Sequence, residues 1–176
     1  RLKEHKGILH LDGLRDLSEE EATLLLKHKD PITLNGLEMP EDGQFFSPAV
    51  CQLLFKSLGE ATEMNPAPLQ GAMRVARERD PKMFILPHLQ SLSERTAAIL
   101  SEFTGSLDLP ELAELTEAQA TRLAEHRGDA LFLGLRTMGE GVAPALARYR
   151  GAKLNFLDLR ELSEKDAQAL TSYRGI

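Results

Sequence analysis

The stretch whose reading decides the fold is LDLPELAELTEAQATRLAEHRG, from Leu107 to Gly128. Leu107 and Leu109 alternate with their neighbours at period two, as in a strand with one covered face, whereas Ala120 and Leu123 keep the spacing of one helix face. Between the halves stands Thr116, whose hydroxyl can accept from an unpaired first-turn amide, and the stretch closes on Gly128. One strand and one helix fit in 23 residues, too few to close a core alone.

The same pattern recurs on both sides. Leu9, Leu11, Leu14, Leu17, Ser18, Ala22, Leu25 and His28 repeat its spacing upstream, and Phe84, Leu86, Leu89, Leu92, Ser93, Ala97, Leu100, Phe103 and Gly105 immediately before it. Downstream, Ala130, Phe132, Leu135, Met138, Ala143, Leu146, Tyr149 and Gly151 form a looser copy, and Leu154, Phe156, Leu159, Leu162, Ser163, Ala167, Leu170, Tyr173 and Gly175 a clean one, with one residue inserted after Gly151. A further copy is split: Ile32, Leu34 and Leu37 open it, Ser47, Cys51, Leu54 and Gly59 close it, and residues 41–46 (EDGQFF) are inserted between. From Glu60 to Lys82 one more period fits, with Leu69, Met73 and Ala76 at helical spacing and a degraded strand half. The units are therefore 8–30, 31–59, 60–82 (degenerate), 83–105, 106–128, 129–151 and 152–175, and residues 1–7, with Leu2, His5 and Gly7, match the tail of another. The expectation is an excised part of a longer array.

Each unit predicts a short strand, a hydroxyl-capped helix and a stop. Glu19, Glu94 and Glu164 follow the capping hydroxyl, where a carboxylate suits the positive helix end. The closing Gly suits a backbone of positive φ, and His or Arg in the last turn suits the negative end. Neighbours must stack, strands pairing in parallel and helices on one side by the right-handed crossover rule. The fold class expected is α/β, a solenoid of one short parallel strand and one short helix per repeat, curved with its strands on the concave face.

The segments LHLDGLRDLS, LDLPELAELT and LNFLDLRELS resemble the strand and turn of leucine-rich repeats, particularly irregular bacterial arrays, over nearly the whole chain. Common leucine-rich repeats place Asn or Cys three positions after the second strand leucine. Here Leu14, Leu37, Leu89, Leu112, Leu135 and Leu159 stand there, so hydrophobic packing must hold the turn.

The totals narrow the function. With 176 residues, 42% hydrophobic and 27% charged, the chain has material for one folded domain. A net charge of -6 and no run of Lys and Arg argue against nucleic acid or anionic lipid as partner. No apolar stretch approaches the roughly 20 residues that span a bilayer. The single Cys51 excludes an internal disulfide and any multi-cysteine zinc site.

Residues that suggest chemistry have plainer readings. His5, His28 and His126 share a column, which invites a metal, but Phe103, Tyr149 and Tyr173 occupy it too, so a flat ring packing at the helix end explains all six. His10 and His88 lie off that column without a recurring carboxylate pair. Cys51 occupies the core-facing Ala column, a buried thiol more than a nucleophile. Glu19, Glu20 and Glu21 are helix-start carboxylates, and GEGVAP at 139–144 is a turn where a helix start is lost. No triad, phosphate loop or cofactor fingerprint emerges, so neither cofactor nor metal is expected and the chain is read as non-enzymatic.

Specificity is then expected on the outward strand positions, in two columns. The first is His10, Thr33, Ile85, Asp108, Leu131 and Asn155; the second is Asp12, Asn35, Pro87, Pro110, Leu133 and Leu157. Leu131, Leu133 and Leu157 would form an exposed apolar patch, unless the register slips near the inserted residue and turns some of them inward. Phe45 and Phe46 on the interruption Glu38–Pro48 either contact a partner or cover the degraded unit, the packing role being favoured. The leading expectation is a protein or peptide interaction module. The alternatives are the recognition segment of a larger bacterial enzyme or effector, with catalysis outside these residues, and a structural spacer. Unpaired edge strands at the chain's ends could also pair between molecules.

Overall fold

The computed structural model describes residues 7–34, 36–38, 46–57, 66–79 and 82–175. It is a mixed α/β chain with seven helices and six parallel strands among the described residues, and no closed barrel. The order is β1 (Leu9–His10), α1 (Glu19–Leu25), β2 (Ile32–Thr33), α2 (Pro48–Ser57), α3 (Pro66–Arg79), β3 (Met83–Ile85), α4 (Glu94–Ser101), β4 (Ser106–Leu109), α5 (Glu117–Ala124), β5 (Ala130–Leu133), α6 (Val142–Leu146), β6 (Lys153–Phe156) and α7 (Glu164–Leu170).

Strands pair with their successors in chain order, β1 with β2 in one sheet and β3, β4, β5 and β6 in another. Each helix likewise contacts the next, from α1 to α7. The two sheets are separate because α2 and α3 follow one another with no described strand between. Of the degraded segment 60–68, residues 60–65 lie outside the described residues, and the rest is already helical from Pro66. Proline is tolerated in a first helical turn, where the missing N–H would have no partner.

The repeat leucines fill one buried cluster. Leu107, Leu109, Leu112, Ala120 and Leu123 of the central unit are fully buried, and so are Leu86, Leu89, Ala97, Leu100 and Phe103 before it. The leucine column at the turn after each strand is inside at Leu37, Leu89, Leu112 and Leu135, whereas Leu14 is exposed and Leu159 half-buried. Phe46, the one described residue of the insertion, is buried. Its carbonyl accepts from the Cys51 thiol at 3.4 Å, and a Cβ on Gly71 of α3 would stand 3.2 Å from its ring. Phe46 thus packs between α2 and α3, as its packing reading requires; Phe45 lies outside the described residues.

Helix starts follow the hydroxyl rule. Ser18, Ser93, Thr116 and Ser163 each accept from the backbone N–H three residues on, and Glu21 and Gln119 return a bond to the cap backbone. α6 is the exception. Its cap is Gly141, at φ +77°, with no side-chain bond, as its looser copy implies.

Two expectations about helix ends are corrected. Positive φ belongs among the described residues to Gly7, which closes the partial copy at residues 1–7 as expected, and to Gly141, whereas the closing Gly128, Gly151 and Gly175 do not carry it. They are glycines because other atoms occupy the space of a side chain: a Cβ on Gly128 would stand 1.8 Å from the Gly105 carbonyl oxygen, and one on Gly151 2.0 Å from the Tyr149 hydroxyl. Nor does His126 complement the negative end of α5. Its ring is buried, and desolvation holds its pKa below the ordinary value although the Ser101 and Gly105 carbonyls favour protonation; neither ring nitrogen completes a hydrogen bond.

The ring column is a packing column, as its mixed composition suggested. His126 stacks on Tyr149 at 6.0 Å between centroids, and Tyr149 on Tyr173 at 6.3 Å. Each tyrosine reaches back one unit, Tyr149 Oη donating to the Gly128 carbonyl and Tyr173 Oη to that of Gly151, both at 2.6 Å. Burial pushes the Tyr149 phenol well above its usual range, so it remains the donor.

Candidate binding face

The strand register fixes which residues share the outward face. Ile85 lies beside Asp108, Asp108 beside Phe132 and Phe132 beside Asn155, while Phe84, Leu107, Leu131 and Leu154 form the inward row. In β4 the inward Leu107 and Leu109 are buried and Ser106 and Asp108 half-buried, the period-two pattern expected of one covered face.

This register corrects the placement of Leu131 and Leu133. Both are fully buried, in register with Leu107 and Leu109, and Phe132 takes the outward position. The extra residue therefore precedes β5 and does not follow Gly151: Leu131 pairs with a residue 24 positions back, and Leu154 with one 23 back. The turn after β5 is one residue shorter in compensation, bringing Leu135 into the core. Gly134 lies beside Pro110, where a Cβ would stand 1.7 Å from the Pro110 carbonyl oxygen.

The expected patch is therefore rebuilt around Phe132. Ile85, 48% exposed, and Leu157, 44% exposed, remain outward, with Phe132, Asn155, Pro87 and Pro110 half-buried. The Lys153 ammonium lies 5.1 Å from the Phe132 ring centroid, a cation–π distance that leaves the charge at the rim of the face. Phe132 and Lys153 are functional candidates that the sequence reading missed.

Asp108 is the charged group within this apolar surface. Its Oδ1 is buried without a hydrogen-bond partner, and burial raises its pKa. Ionised, it would gain from a donor supplied from outside. At the turn below, His88 Nδ1 lies 3.3 Å from a Glu111 oxygen, and Gln90 donates to the other at 3.5 Å.

On the β1–β2 sheet the outward groups are polar. Thr33, buried, donates to Asp12 at 2.9 Å and lies 3.0 Å from His10 Nδ1; a hydroxyl has one proton to give, so His10 Nδ1–H is the second donor of the chain. Asn35 lies outside the described residues, as does His5. Cys51 is buried with its thiol pKa raised by desolvation. Among the described residues no three His, Cys, Asp or Glu side chains gather in a way that could hold a metal ion, and no helix is long and apolar enough to cross a membrane.

What this face can do chemically is bind: apolar side chains, a carboxylate wanting a donor, and a cation at the edge. Comparison with protein-family models, curated proteins and solved structures finds no match to this chain.

Proposed function

We propose that the chain is a leucine-rich-repeat-type solenoid serving as a non-catalytic protein or peptide interaction module, which binds through the outward face of β3 to β6. The observation that carries this reading is the placement of Ile85 and Phe132 on either side of Asp108, with Leu157 exposed just past β6, on a sheet face the core does not use. Single exposed apolar side chains are ordinary, but apolar side chains gathered on one face of a scaffold mark contact surfaces. The carboxylate suits a partner that brings an N–H or ammonium group among apolar side chains. Support for the solenoid comes from the unit-by-unit pairing of strands and helices in chain order.

Quantitative partner capture from cell extract tests it, comparing the native chain with Ile85→Asp/Leu157→Asp. Both positions are exposed, so the variant should fold, and circular dichroism checks that. Proteins bound through this face should be lost at least tenfold. Undiminished capture of every specific partner by the folded variant would remove the face from consideration.

A further inference from the structure

Away from the strand face, a cleft of about 770 Å³ opens where α5 and α6 end, lined by Thr121, Ala124, Arg127, Asp129, Arg148 and Arg150 among others. We propose that this cleft is a docking site for an acidic, extended polypeptide segment, held by the guanidinium groups of Arg127, Arg148 and Arg150. It rests on residues that the strand face does not share.

The three arginines are exposed, and none has an ion pair or hydrogen bond through its side chain among the described residues. The wall also holds two carboxylates, Glu125, which shares Arg122 with Glu94 at 3.6 and 3.2 Å, and Asp129, so three cations face two anions. The floor adds no charge: His126 is kept neutral by burial, and the Tyr149 hydroxyl is committed to the Gly128 carbonyl. In a chain of net charge -6, such a local excess of cations stands out against the surrounding field.

A plainer role for these arginines would be to bond the last carbonyls of α5 and α6. At least two of those carbonyls in each helix are already taken. Arg122 and Leu123 accept from the backbone N–H groups of Glu125 and His126, and Ala145 and Leu146 from those of Arg148 and Tyr149. Arg77 shows the contrast, its guanidinium donating to the Glu102 carbonyl at 2.9 Å.

The cleft favours a chain over a single small anion on two grounds. Its volume falls within the roughly 300–1,000 Å³ of ligand pockets, far more than one sulfate fills. Arg127 and Arg150 each follow a ring of the stacked column, whose step is 6.0 Å. Alternate side chains of an extended peptide are about 6.6 Å apart. An acidic residue at every second position therefore meets one arginine per unit, each able to grip a carboxylate with two parallel N–H bonds. Arg174 continues the column past Tyr173 for a longer segment.

The test is isothermal titration with a short peptide alternating glutamate and serine, alongside sodium sulfate at matched ionic strength. The peptide should bind the native chain more tightly than sulfate. Arg127→Gln/Arg150→Gln should weaken it about tenfold or more, while Arg95→Gln/Arg160→Gln, which removes the same charge from other exposed positions, should not. Ile85→Asp should leave the affinity unchanged, separating this site from the strand face. Absence of peptide binding, equal affinity for sulfate, or binding that survives Arg127→Gln/Arg150→Gln would each overturn the assignment. Since all four arginines are exposed, unchanged thermal melting checks that the comparisons are between folded proteins.

Discussion

The hydroxyl of Tyr149 donates to the carbonyl oxygen of Gly128 at 2.6 Å, tying the end of one strand-helix unit to the end of the unit before it. Tyr149 is almost wholly buried, so its removal leaves an acceptor that water does not readily reach. Tyr149→Phe should cost about 1–2 kcal/mol. Tyr173→Phe, which breaks the equivalent bond at a half-buried ring, should cost less than about 0.5 kcal/mol, because water can replace the hydroxyl. Urea denaturation of both variants measures the difference, and equal losses would refute the role of burial.

Glycines separate into those pressed against another unit and those that are not. Gly128→Ala must push a methyl group against the Gly105 carbonyl and should cost about 3 kcal/mol or more. Gly13→Ala meets nothing within 4 Å and should change stability by less than about 0.5 kcal/mol. Thermal melting of the pair decides, and a neutral Gly128→Ala would mean that the strand-to-strand approach is looser than described.

Two groups should tilt the pH dependence in opposite senses. His126 has its folded pKa below the ordinary 6.5, so below that pH the unfolded chain takes up a proton that the folded chain refuses. Stability should fall as pH drops through about 6.5 toward the folded value, and His126→Phe should flatten that slope. Asp108 has its folded pKa above the ordinary 3.8, so its contribution is favourable in acid and lost as pH rises through the folded value. Asp108→Asn should therefore stabilise the isolated chain at pH 7, by up to about 1 kcal/mol since solvent reaches part of the side chain, and not at pH 3. Destabilisation at pH 7 would show that the carboxylate has a partner within the fold.

The strand-helix alternation and the helix caps were legible because each rests on a local rule, a period or a hydroxyl before a helix. The β5 register was not. Residues 130–133 read Ala-Leu-Phe-Leu, apolar at every position, so period two is satisfied in either frame. Only the shortened turn, with Leu135 two residues after Leu133, and Gly134 beside Pro110 distinguish the frames, and both signals depend on a neighbouring strand. The glycine misreading has the same origin: positive φ is a local explanation, whereas the atoms that exclude a side chain at Gly128 belong to the preceding unit. Asp108 was placed correctly because Leu107 and Leu109 alternate around it, and Ile85, within the apolar run 83–86, because it stands one 23-residue period before Asp108.

The backward reach of Tyr149 and Tyr173 gives the molecule a direction. A pull on the C-terminal end would draw each staple off its own anchor in turn, so detachment can proceed one unit at a time, with a force step at Gly151 before one at Gly128. A pull on the N-terminal end would leave both tyrosine staples closed until the earlier units had gone. Unfolding from opposite ends would thus follow different routes through the same contacts, and mechanical resistance would depend on which end is held.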